Sequence, residues 1–270
     1  MGRDPTQGPN LNRYCGRNAV KIWVDHSLTD ETEQYLGADG WPLGSGIFET
    51  VRTEDSRPQL LSRHMRRVLL SARHLGISLP DEDHILDAIE HVISAEPHPV
   101  GRLRLSFSSD HFVATHEAYL SKASHLVVEI YRTSGSTSER QHKVFPYTHH
   151  LDLLAKATEH GVDEFICVDE LGRVTEGAVS NVALRIAGQW ITPPITSGIL
   201  PGVIRALAIE RCDFLVREIS ENDLMSCEGA IAMSSLKIAL PIASIDTRPI
   251  EIDSDSEQMC LKLRELARTL

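Results

Sequence analysis

The stretch VTEGAVSN, Val174–Asn181, sets one carboxylate, Glu176, among small residues just ahead of the apolar alternating segment NVALRI. With Gly177 and Ala178 leaving room beside it for a flat group, such a carboxylate can hold a proton on a heteroaromatic nitrogen. The same residue also reads as a surface glutamate in a hairpin. Lys143 follows a Ser/Thr/Gly stretch, where a cleft between two units would desolvate it, lower its pKa and make it an imine-forming nucleophile. In SGILPGVIR, small residues and a proline lead into a helix whose first backbone N–H groups have no partner of their own, a ready anion cradle. Ser234–Ser235, after the apolar run GAIAM, offers further hydroxyl and amide donors, or simply a turn. Each feature alone is commonplace; a lysine, a carboxylate and a phosphate-ready helix start in that order within one unit narrow the chemistry.

Other chemistries are missing from the sequence. It has no GxxxxGK[ST] loop, no HExxH, no GxSxG and no strand-linked GxGxxG, which removes the common nucleotide and hydrolase readings. His142, His149 and His150 are close in sequence, but adjacent helical residues point about 100° apart, so they read better as solvated or supporting groups than as metal ligands. A net charge of −11, with Lys and Arg scattered, argues against a nucleic-acid surface and for a small-molecule partner. No apolar run reaches the roughly 20 residues of a membrane helix. Residues 1–20 lack the apolar centre of an export signal and read as a leader. The five widely spaced cysteines (Cys15, Cys167, Cys212, Cys227 and Cys260) suit a reducing cytoplasm and buried thiols.

The elements that must position these groups are legible as an α+β pattern. KIWV and GIFETVRT read as strands. A helix from about 62 to 75 carries Met65, Val68, Leu69 and Ala72 on one face and stops at Gly76; a second spans about 81–94. RLRLSF and SHLVVEIYR then close a first unit at residues 21–132, and 133–142, containing TSGSTSER, reads as a linker. The second unit, 143–270, contains a helix from about 148 to 160 and the strand EFICV. NVALRI and QWIT follow, joined by an Ala187–Gly188 turn. Then come the helix VIRALAIERC, a capping box at Ser220 and Asp223, the strand GAIAMS and a final helix from about 254.

GSGIFETVR, SRHMRRVLLSARHLGI, the run from GVDEFICV through SGILPGVIRAL, and SSLKIALPI together resemble the fold-type IV pyridoxal-phosphate (PLP) enzymes. That group includes branched-chain and D-amino-acid aminotransferases and 4-amino-4-deoxychorismate lyases. The resemblance runs from about Lys21 onward and implies a two-domain fold like that of D-amino-acid aminotransferase, with a smaller N-terminal α/β domain and a larger β-rich C-terminal domain. By position, Lys143 matches the lysine of the internal aldimine, Tyr147 the tyrosine at the cofactor's phenolic oxygen, and Glu176 the partner of the pyridine nitrogen. Val203 and Ile204 match the amides that hold the phosphate, Ser235 a hydroxyl donor to it, and Arg67 the phosphate arginine. Periodicity alone places Arg67 opposite the apolar face, as a solvated charge. The chain departs from the family where YLGADGWPLGSG replaces an Asp-Arg-Gly element, and where SSDHFVATHEAY lacks a glycine- and arginine-rich loop.

SSLKIALPI is closer to the turn of lyase members than to that of branched-chain enzymes, so the resemblance implies an aminodeoxychorismate-lyase-like activity releasing pyruvate and 4-aminobenzoate. A class-IV aminotransferase is the alternative, and a non-catalytic PLP-binding or regulatory homologue a third. The resemblance also implies a small-molecule amino substrate and a homodimer.

Overall fold

The computed structural model describes residues 21–120, 123–133 and 141–270. The leader at 1–20, with Cys15, and most of the expected linker lie outside the described residues.

The first sheet is built from β1 (Ile22–Val24), β2 (Ser27–Thr29), β3 (Gly46–Glu54), β4 (Arg57–Pro58), β5 (Val100–Ser108) and β6 (Phe112–Ala118). Its order is β2-β1-β6-β5-β3-β4. β3 and β5 pair antiparallel along their whole length, from Gly46 opposite Ser108 to Glu54 opposite Val100. Alternation then sends Ile47, Val51, Leu103, Leu105 and Phe107 to one face. There they form a core with Val68 and Ala72 of α1 (Leu61–Leu75) and Ile85, Ala88, Ile89 and Val92 of α2 (Glu82–Ala95). The Asp81 side chain caps α2 by accepting from the His84 amide, and α1 ends where Gly76, at φ 69°, donates to the Ala72 carbonyl.

An expectation fails here. Leu69, expected on the buried face of α1, is exposed, and His64, Arg67 and Ser71 are buried instead. The sheet beneath α1 carries Glu49 in phase with Ile47 and Val51, so the helix turns the Arg67 guanidinium and the His64 imidazole toward it. Within SSDHFVATHEAY the chain turns at Ser109–Asp110 and returns as β6, paired along β5, a strand the sequence reading did not name.

The second sheet begins with β7 (Leu126–Arg132). The sequence reading put this segment in the first unit; it pairs in parallel with β9 (Glu164–Val168) on one side and β15 (Ile238–Ile245) on the other. An alternating apolar pattern fixes a strand's faces but not its partners, and α3 (Thr148–Glu159) supplies the crossover that a parallel pair requires. Between them the two-residue β8 (Val144–Phe145) returns to the first sheet and pairs with β3. The chain therefore changes sheets at each end of the segment around Lys143.

The remaining strands are β10 (Val174–Gly177), β11 (Asn181–Ile186), β12 (Gln189–Thr192), β13 (Leu215–Val216), β14 (Gly229–Ser234) and β16 (Arg248–Pro249). The order is β10-β9-β7-β15-β14-β11-β12-β13. Ala187 and Gly188, both at positive φ, make the two-residue hairpin joining β11 to β12. Val182, Leu184, Ala230 and Ala232 face one core, with Leu224 of α5 (Glu221–Ser226). Ala183, Ile231 and Met233 face a second core, under α4 (Val203–Arg211) and α6 (Ser254–Thr269). Burial on both faces explains why GAIAM reads as a continuous apolar run. Cys167, Cys212, Cys227 and Cys260 are buried free thiols, and burial pushes Cys260 up to about 12. Among the described residues no helix is long and apolar enough to cross a membrane.

Candidate functional site

Lys143 is fixed from the first sheet. Its carbonyl accepts from the Phe48 amide at 2.8 Å, extending the ladder between β3 and β8. Its Nζ stands 4.4 Å from the Phe48 ring centre and 4.6 Å from that of Tyr147. Burial is the main reason its pKa falls to about 7, and the positive field of Arg67, then of Arg104, adds to it against the pull of Glu49 and Glu176. At neutral pH this amine is available in its unprotonated form. Tyr147 opens α3, stands edge-on to Phe48 and stacks on His150 at 4.2 Å; burial raises its pKa.

Arg67 is the cation the helical pattern called solvated, and it is nearly closed off from water. Its Nε and Nη2 donate to the two Glu49 oxygens at 2.6 and 2.7 Å, a forked pair. His64 Nδ1 reaches the same carboxylate at 2.7 Å. Burial alone would raise the Glu49 pKa, but Arg67 and His64 prevail and hold the carboxyl well below the usual range. The third Arg67 contact leaves its own unit: Nη1 donates to the Pro201 carbonyl at 3.1 Å, one residue before Gly202, the N-cap of α4. Arg67 thus stands at the helix start where Val203 and Ile204 present first-turn amides.

Glu176 is buried in β10, not on a hairpin surface. Its Oε2 accepts from the Leu200 amide at 3.0 Å and from Asn181 Nδ2 at 3.3 Å. Asn181 Nδ2 also donates to the Leu200 carbonyl at 3.0 Å, so one side chain ties Glu176 to the loop that delivers α4. A Cβ on Gly202 would lie 1.8 Å from Asn181 Oδ1; glycine is required by close approach, not by its φ of −66°.

Ser235 lies just past β14. Met233 is opposite Asn181, so the Ser234–Ser235 turn sits at the same end of the sheet as Glu176 and the start of α4. Arg52 Nη1 donates to the Leu236 carbonyl at 2.7 Å, tying this turn to the first sheet. Behind it, Lys237 Nζ pairs with Oε2 of the buried Glu164 at 2.7 Å, while Glu164 Oε1 accepts from Ser180 Oγ and the Val179 amide. That anchors the loop following Glu176.

The fold therefore gathers Lys143, Tyr147 and Arg67 with Glu176 and the start of α4, and brings the Ser235 turn to the same sheet end. It does not gather the three histidines: His142 contacts Ser71, His150 contacts the Ala178 carbonyl, and among the described residues no group of three or more His, Cys, Asp or Glu is placed to hold a metal ion. Glu49, His64, Asn181 and the Lys237–Glu164 pair were missed. For Glu49 a signal existed, since an acid in phase with Ile47 and Val51 in GIFETVRT breaks the apolar face of a strand. Asn181 gave none.

Residues 46–245 match the family model of amino-transferase class IV, and the chain belongs to that family. Its fold is that of the fold-type IV enzymes, and it is a PLP-dependent enzyme. The chain is 26% identical over 255 residues to the aminodeoxychorismate lyase of Bacillus subtilis, covering 83% of this chain and 86% of that one. It is 21% identical over 256 residues to the D-alanine aminotransferase of Bacillus licheniformis, covering 86% and 90%. A hypothetical aminotransferase from Mycobacterium tuberculosis in its PLP-bound form superposes with a TM-score of 0.80 at 20% identity, covering 92% of this chain and 98% of that one.

Proposed function

We propose that the chain uses Lys143 to process a small amino substrate as an aminodeoxychorismate-lyase-like enzyme, releasing pyruvate and 4-aminobenzoate. The observation that carries the reading is Lys143 Nζ, with its pKa lowered to about 7, held over Phe48 and Tyr147 within the field of both Arg67 and Glu176. That donor set fits PLP: an amine that is unprotonated near neutrality, a buried carboxylate, and a guanidinium beside a helix start for a phosphate dianion.

PLP, when bound, supplies a conjugated ring that takes up the electron pair left when a carbon near the substrate's nitrogen loses its proton. Glu176 would hold a proton at the ring nitrogen, which strengthens that electron withdrawal. Tyr147 would donate a hydrogen bond to the phenolic oxygen. Arg67, the amides of Val203 and Ile204, and the Ser235 hydroxyl would hold the phosphate. Lys143 Nζ would hold the cofactor's carbonyl carbon, and would take the proton from the substrate's ring carbon and return a proton as pyruvate departs. All atoms of the substrate are accounted for by the two products, so no oxidant is needed.

One feature favours the lyase over the aminotransferase: the turn at Ser234–Ser235–Leu236 lacks the threonine of branched-chain members. An aminotransferase would use the same lysine to move a proton between two carbons and would need a keto acid to complete its cycle. We also propose that the enzyme is a homodimer acting in the cytoplasm. The test is incubation of the PLP-loaded protein with aminodeoxychorismate, or separately with amino and keto acids. Pyruvate release dependent on Lys143 supports the lyase, amino-group exchange replaces it with the aminotransferase, and neither product overturns both.

A further inference from the structure

Tyr147 enters the site from the N-cap of α3, where its side chain caps nothing and its carbonyl starts the helix by accepting from the Leu151 amide at 3.2 Å. Among the described residues none hydrogen bonds to its hydroxyl. The ring is therefore oriented by what packs on it. Phe48 meets it edge-on at 5.0 Å, and Trp41 is tilted to it at 6.0 Å. His150, three residues on and so one turn along the same helix, lies against it at 4.2 Å with the two ring planes 13° apart. The hydroxyl is at the far end of the ring, where a small swing about Cβ moves it most. A parallel ring opposes that swing along its whole length, which an edge contact does not.

His150 is itself held from the second sheet. Its Nδ1 lies 2.8 Å from the Ala178 carbonyl, and because a carbonyl oxygen can only accept, Nδ1 carries the proton. Ala178 is two residues past Glu176, in the loop that leaves β10. The amides of that loop are committed elsewhere: Ala178 donates to the Phe165 carbonyl at 3.1 Å and Val179 to Glu164 Oε1 at 2.8 Å. One imidazole thus touches the tyrosine with its face and the loop behind the carboxylate with its edge. Sequence reading placed His150 only among solvated or supporting groups.

We propose that His150 is a positioning residue for the cofactor: stacked on Tyr147 and bonded to Ala178, it holds the phenol and the Glu176 carboxylate in one register. The inference deepens the function proposed above and rests on its placement of PLP, with Tyr147 toward the phenolic oxygen and Glu176 toward the ring nitrogen. It is indifferent to whether the reaction is elimination or amino-group exchange. Two groups that must meet opposite sides of one rigid ring are useful only if their separation is fixed, and the histidine fixes it from outside the ring.

The test is absorbance titration of cofactor-free protein with PLP, followed by borohydride reduction, with His150 and Tyr147 varied singly and together. His150→Ala removes both stack and donor and should raise the PLP Kd about tenfold or more. His150→Phe keeps the stack, His150→Asn keeps a donor near the Nδ1 position, and each should recover part of the loss. Tyr147→Phe should displace the visible band of bound PLP, and His150→Ala should displace it in the same direction by less. With Tyr147→Phe already present, His150→Ala should leave the band where it is and cost less in Kd than it does beside the tyrosine. A histidine that only stabilises the fold would leave the band unmoved and cost the same in both backgrounds; either result overturns the proposal. If His150→Ala does not fold, His150→Phe decides: a Kd raised by less than about threefold means that the hold on Ala178 has no role. A wild-type protein that forms no reducible adduct overturns the placement of Lys143 and this proposal with it, whereas a normal adduct with wild-type behaviour in His150→Ala overturns this proposal alone.

Discussion

Arg67, on a helix of the first sheet, hydrogen bonds through Nη1 to the Pro201 carbonyl at 3.1 Å, at the mouth of a helix belonging to the second. Both Glu49 oxygens hold the rest of its guanidinium, so one buried carboxylate aims the arginine across the boundary.

Removing that arginine should be costly to stability. Arg67→Met strands the Glu49 carboxylate with His64 alone, and breaking a buried pair from one side costs about 3–5 kcal/mol. Because Glu49 titrates below its ordinary 4.5 in the folded protein, its stabilisation is complete above that pH and is lost as pH falls through the acid range. Chemical unfolding of Arg67→Met should therefore show lower stability at pH 7, and a smaller further loss on acidification than wild type.

Lys143 predicts the opposite sign. Its folded pKa of about 7 lies below its ordinary 10.5, so the folded chain binds the proton less well than the unfolded one, and stability rises with pH between those values. Lys143→Met should be more stable than wild type at pH 7, by an amount on the order of 4 kcal/mol, and the gap should close toward pH 10. In wild type, the rate of covalent PLP attachment should climb to near pH 7 and level off, where an exposed lysine would keep climbing toward about pH 10.4.

Gly202→Ala forces a Cβ into Asn181 Oδ1. Asn181 must move, and it takes with it a contact to Glu176. We expect PLP affinity to fall by at least about tenfold by absorbance titration, corresponding to roughly 1.4 kcal/mol. Equal affinity would mean that Asn181 does not set the carboxylate.

The Lys237–Glu164 pair supports the loop after Glu176. Lys237→Met alone should destabilise by about 3 kcal/mol or more. The double variant Lys237→Met/Glu164→Gln should be less destabilised than the two single losses combined, which a double-mutant cycle measures.

Much of this was legible in the chain, and the failures share a cause. Strand and helix positions followed period and punctuation, as Gly76 and the Ser220–Asp223 box illustrate. Partners did not. Val127, Val128 and Ile130 announce a strand without saying which sheet it joins, because a hydrogen-bond ladder accepts any edge of suitable register. Arg67 was unreadable by hydrophobic period for a related reason: it is buried because Glu49, 18 positions away, is buried opposite it. Lys143 and Glu176 stood out as candidates by residue type and order, and resemblance gave them their roles; no periodicity distinguishes a lysine that lies among aromatic rings.

The sheet exchange around Lys143 bears on how this protein can be inherited. Because Leu126–Arg132 is sandwiched between β9 and β15 while Val144–Phe145 is stitched to β3, a gene cut at residue 133 would give neither half a finished sheet. The front fragment would carry an orphaned strand, and the rear one a lysine whose backbone anchor, Phe48, had been left behind. Recombination between relatives must therefore transmit the stretch from Gly46 to Ile245 as a single block.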